Sequence, residues 1–126
     1  MNLGTVIFIH GRIANALWIY MLIMAVWNFA NYFRGRGVDG NVLGAWTVAE
    51  LMTLTQAVLG IIMLVSGLFP ASIIHFLYGS LSVLVIPAIW VYTRGAVDRR
   101  ASLIWAITAL FLFGLSLRAM GTGTAF

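Results

Sequence analysis

Four long apolar runs dominate this sequence, broken by two short arginine-bearing segments and one uncharged turn. A helix that crosses the hydrocarbon core of a bilayer takes about 20 mainly apolar residues at 1.5 Å of rise each. Runs at residues 5–33, 45–66, 71–92 and 101–117 meet that length and leave little of the 126-residue chain for anything else. At 63% hydrophobic and 8% charged residues, the composition is far from that of a soluble domain. The expected fold is all-α: residues 1–126 as one integral membrane four-helix bundle. A membrane β-barrel would instead show alternation over shorter segments.

The boundaries follow from turn chemistry. RGRGVDGN over 34–41 reads as a loop, Gly67 and Pro70 end the second span, and TRGAVDRR over 93–100 precedes the fourth. Pro87 is expected to kink the third span. The tail from Arg118, RAMGTGTAF, is expected to be loosely held. The first apolar run is too long for the apolar core of a cleavable signal, and no basic segment precedes it, so it reads as the first span.

Arginine placement predicts orientation. Arg34 and Arg36 lie between spans one and two, and Arg94, Arg99 and Arg100 between spans three and four, whereas the GLFPAS turn carries no charge. The positive-inside rule puts the charged loops in the cytoplasm and both termini on the outer side of a membrane, with the bacterial inner membrane as the expected location. Arg12 and Arg118 fall at the outer side, against this bias. The seven cationic residues are all arginines and sit mostly in these loops, so the net charge of +4 reads as topology and not as a nucleic-acid footprint. Expected partners are membrane lipids and either other membrane subunits or further copies of the chain. With no cysteine, disulfides, thiolate metal sites, iron–sulfur clusters and covalent c-type haem are excluded.

Ionisable residues inside spans are costly, so each is a candidate for function. The two histidines stand out: His10 near the start of the first run and His75 near the start of the third. The predicted topology places both within roughly 10 Å of the outer boundary on different helices. Each could simply hydrogen-bond a neighbouring helix. As a shared metal site, two imidazoles are too few for zinc, which takes three or four protein ligands. Asp39 and Asp98 lie in cytoplasmic loops and Glu50 is placed nearer the inner end of the second span, paired with a loop arginine. Haem iron needs only two axial ligands, and bis-histidine ligation suits electron transfer. One haem b held by His10 and His75 is therefore the leading expectation. A chlorophyll-type pigment, taking one histidine each, is the alternative ligand.

Other residues are assigned around this pair. Gly79 and Ser82 follow His75 at helical spacing, and Ala14 and Leu17 follow His10. Gln56, Gly60 and Gly67 form a small-residue stripe suited to close helix packing or to ligand contact. Arg12 and Arg118 could pair with haem propionates or with lipid headgroups. Trp27, Trp46, Trp90 and Trp105 are expected in a cytoplasmic-side aromatic belt, with Trp18 inside the bundle. Asn15, Asn28 and Asn31 are expected to bond between helices.

His10 on one helix, Gln56, Leu59 and Gly60 in QAVLG on the next, and His75 in IIHFLYGSL at the start of the third resemble one half of a haem A synthase. In that family each half is a four-helix bundle in which a histidine pair binds a b-type haem. The resemblance runs from His10 through Ser82 and implies a cytochrome-b-like module. The chain departs from the family pattern in having one module, no cysteine pair and no outward acidic pair. The resemblance therefore implies haem binding without the family's oxygenation chemistry.

The expected function is a b-type haem protein of the membrane, acting in electron transport or as a small subunit of a respiratory or photosynthetic complex, with no catalysis of its own. The alternative is a non-catalytic accessory subunit that packs on a larger complex and binds lipid, quinone or pigment.

Overall fold

The computed structural model describes residues 2–123. Those residues form four helices: α1 (Leu3–Phe33), α2 (Gly40–Val65), α3 (Ile74–Thr93) and α4 (Arg99–Gly123). All four are long and apolar enough to cross a membrane.

Local capping explains where the helices begin. Asn2 Oδ1 accepts the Thr5 N–H at 2.8 Å and opens α1. Asp39 Oδ1 accepts the Val42 N–H at 2.9 Å, which starts α2 at Gly40 and not at 45 as its apolar run suggested. Asp98 does the same for α4 through the Ala101 N–H, again at 2.9 Å. α3 starts at Ile74, later than 71, where Ser72 Oγ accepts the Ile74 N–H at 3.3 Å. It passes through Pro87 and ends at Arg94, whose left-handed backbone (φ 54°) is followed by Gly95 (φ 70°).

The largest correction concerns the tail. α4 does not stop at 117 but continues to Gly123, so residues 118–123 are helical and packed, while 124–126 lie outside the described residues. The physical reason is capping from a distance: the Ser72 N–H, in the α2–α3 turn, donates to the Thr122 carbonyl at 3.1 Å. Carbonyls in the last turn of a helix have no partner within it. A bond supplied by another segment lets this Gly- and Thr-rich turn persist.

The helices form a ring in chain order. α1 packs on α2 and most extensively on α4, and α3 packs on α2 and α4. The backbones of the diagonal pairs, α1 with α3 and α2 with α4, make no close approach among the described residues. Only side chains meet across the middle.

One end of the bundle carries both charged loops and is tied tightly. The Val38 N–H donates to the Val97 carbonyl at 2.9 Å, Ser102 Oγ–H donates to the Arg36 carbonyl at 2.8 Å, and Arg99 Nε–H donates to the Tyr32 carbonyl at 2.9 Å. The Arg99 guanidinium also lies 4.0 Å from the Tyr32 ring centre. Gly37 permits this crossing, because a Cβ there would collide with the Val97 carbonyl.

Above this knot the core is dense. Met21, Met24, Val42, Trp46, Ala49, Ala101, Trp105 and Ala109 are buried together. Trp46 and Trp105 meet across the α2–α4 diagonal at 4.7 Å between ring centres. They are 2% and 1% exposed, so these two tryptophans belong to the core and not to an interfacial belt. Of the others, Trp90 is exposed and Trp27 half-buried, while Trp18 packs on Phe113 at 6.4 Å. Asn28, fully buried, donates to the Met24 carbonyl of its own helix at 2.8 Å and not to a neighbouring helix.

Towards the other end, with the α2–α3 turn and the termini, packing loosens. α3 buries Ile86 and Thr93 in its second half, and no residue of its first half, 74–85, is fully buried. The two histidines lie in this looser half.

Candidate functional site

His10 lies on α1, where helical spacing turns it to the same side as Leu17 and towards α2. The Gln56 backbone lies beside its ring. Gly60, one turn on, leaves the ring room: a Cβ built there would sit 3.7 Å from His10 Cε1. Gln56 and Gly60, read from the sequence as a small-residue stripe, thus lie on the side of α2 that faces His10. Gly67, third in the stripe, is outside the helix in the turn, with φ 88°.

His75 lies in the first turn of α3 and is gripped from α4. Its Nδ1 is 2.9 Å from the Ala119 carbonyl and 3.2 Å from Thr122 Oγ1. A carbonyl can only accept, so Nδ1 carries a proton in this arrangement, and in the neutral ring Nε2 holds the lone pair. Gly123 closes against the same ring: a Cβ there would lie 2.8 Å from Cε1. Ala119, Thr122 and Gly123 were missed in the sequence because Gly and Thr read as the end of a helix.

The two rings meet across the α1–α3 diagonal. Their centres are 6.5 Å apart and their planes are inclined at 69°. Two imidazoles sharing one metal at the usual metal–nitrogen length of about 2.0–2.1 Å have ring centres roughly 6 Å apart. The observed spacing is close to that. His10 Nδ1 and Gln56 Oε1 are buried without a hydrogen-bond partner, as are Asn28 Oδ1, Trp46 Nε1 and Trp105 Nε1 in the dense half of the core. Buried polar atoms left in this way cost about 1–3 kcal/mol each unless something else satisfies them.

The remaining candidates are distributed more widely. Gly79, one turn after His75, is exposed, and nothing lies within 4 Å of a Cβ built on it. Ser82 Oγ–H donates to the Tyr78 carbonyl of its own helix at 2.8 Å. Arg12 is exposed, and its guanidinium lies 5.7 Å from the centre of the Phe8 ring on the outer surface of α1. Arg118 lines an apolar groove between α3 and α4 with Tyr78, Phe111, Gly114 and Leu117. The structure does not draw either arginine into the contact between the imidazoles. Glu50, expected to pair with a loop arginine, instead accepts from Thr53 Oγ1 at 3.3 Å, one turn away on α2. It lies ten residues past the start of α2 at Gly40, roughly 15 Å along the axis and beyond the reach of the loops.

Among the described residues no group of three or more His, Cys, Asp and Glu side chains converges as a metal site would. The donor set is therefore two imidazoles. That set matches a metal whose other positions are filled by a macrocycle better than a bare cation that needs three or four protein ligands. Comparison with known proteins finds no matching family model, no matching curated protein and no matching solved structure.

Proposed function

We propose that the chain is a multi-pass membrane protein that holds one haem b between His10 and His75 and serves in electron transfer. The observation that carries this reading is the opposed imidazole pair: two rings from diagonal helices, 6.5 Å apart, in the half of the bundle where α3 packs least closely. The likeness of His10, QAVLG and IIHFLYGSL to one half of a haem A synthase points the same way. Haem held by His10 and His75 would supply one-electron transfer. The protein's part is to present two neutral imidazole nitrogens at matched depth and to keep water from them. Spacing also favours one shared ligand over two pigments, since 6.5 Å between ring centres leaves no room for two macrocycles between the rings.

The arginine-bearing loops face the cytoplasm in this reading, and the termini and the α2–α3 turn face outward, in the bacterial inner membrane. Arg118, at the outer end of α4, is the better placed of the two arginines for a propionate, because its neighbour Ala119 bonds His75. α3 is the least buried of the four helices, with Val91 73% exposed and Ile73 just before its start 83% exposed, and would face lipid, a larger complex or a second copy.

The test is a reduced-minus-oxidised absorption spectrum of detergent-purified protein expressed with haem available. A sharp α-band is expected, lost in His10→Ala and in His75→Ala and retained in Val83→Ala. Folded protein with no such band would overturn the reading.

A further inference from the structure

We infer that the last turn of α4 is the positioning element for His75: the Ala119 carbonyl holds the proton on Nδ1 and so selects Nε2 as the nitrogen that binds iron. This rests on the haem reading above. Four contacts carry it. The Nδ1–H donates to the Ala119 carbonyl at 2.9 Å, with Thr122 Oγ1 at 3.2 Å as a second acceptor. The turn that supplies both acceptors is pinned from the α2–α3 connection by the Ser72 N–H on the Thr122 carbonyl, at 3.1 Å. Gly123 then fits flush against the ring, its built Cβ lying 2.8, 3.2 and 3.3 Å from Cε1, Nδ1 and Nε2.

A metal-binding imidazole generally donates its other N–H to a carbonyl or carboxylate, which fixes the tautomer and raises the basicity of the ligating nitrogen. A more basic axial nitrogen favours the oxidised iron. The Ala119 contact should therefore hold the reduction potential below that of the same haem with a loosely held His75. At His10, Nδ1 has no such partner. The final turn of α4 thus sets the properties of a ligand on another helix. Gly123 acts as the spacer that lets it approach.

The experiment has one arm without haem and one with it. In haem-free protein carrying His10→Ala, His75 is the sole histidine, and its ¹⁵N NMR shifts should report the Nδ1–H tautomer. The Nε2–H form, or rapid averaging of the two, would overturn the inference. In haem-loaded protein, Gly123→Ala forces the ring away from Ala119 and should raise the midpoint potential. Gly121→Ala, in the same turn with nothing within 4 Å of its Cβ, should leave it unchanged. Thr122→Val removes the weaker acceptor together with the hydroxyl's own bonds to the Arg118 and Ala119 carbonyls, leaves the Ala119 carbonyl in place, and should give a smaller rise than Gly123→Ala. Equal potentials in all the variants would overturn the positioning role while the haem reading stood. A wild-type chain that takes up no haem would overturn both.

Discussion

His10 and His75 share a spacing but differ in what holds each ring. His75 has an accepting carbonyl at 2.9 Å, whereas His10 Nδ1 is buried without a partner, and so is the side-chain oxygen of Gln56. Removing an unpaired buried oxygen while keeping the side chain's length should relieve a penalty. Gln56→Met is therefore expected to match or exceed the wild-type melting temperature; a loss of more than about 1 kcal/mol would show that the amide has a partner in the assembled protein. The pair itself was legible in the sequence because a chain with two histidines on separate apolar runs offers few other candidates. What holds the His75 ring was not. Ala119 acts through its backbone, and a carbonyl has no signature in the residue type.

At the scale of the helix, the apolar runs located the segments but not their ends. Asp39 and Asp98 each extend a helix into a charged segment by capping it, and the polar residues that read as loop are what start the helix. The same lesson applies to the tryptophans: position along the chain put Trp46 and Trp105 in a belt, but the face of the helix decides that they are core. Trp105→Ala should destabilise the bundle by on the order of 3 kcal/mol, read as a drop in thermal stability in detergent, because the cavity left against Trp46 cannot be filled by lipid. Trp105→Phe should lose much less. At the loop end, Gly37→Ala should be at least as damaging, since the Cβ meets a backbone carbonyl held in a hydrogen bond and not the flexible end of a side chain. Gly40→Ala, with open space around its Cβ, is the control expected to stay close to wild type.

Across the whole molecule, a tight, loop-tied half supports a looser half that carries the histidines. The hydrogen-bonded ties sit at the charged end, and α3 has no fully buried residue beside His75. The proposed orientation can be read directly because the chain has no cysteine of its own. In intact cells, Phe69→Cys in the α2–α3 turn should react with a membrane-impermeant thiol reagent, and Arg100→Cys at the opposite end should react only after lysis. The reverse pattern would invert the topology. The most direct measurement of the central claim is the electron paramagnetic resonance spectrum of the oxidised, haem-loaded protein. Ring planes inclined at 69° should give one low-spin ferric species with the large, strongly anisotropic g maximum of near-perpendicular imidazole ligands, abolished by either histidine-to-alanine substitution. A high-spin signal in the wild-type protein, or a low-spin signal that survives His10→Ala, would show that the two histidines do not share one iron.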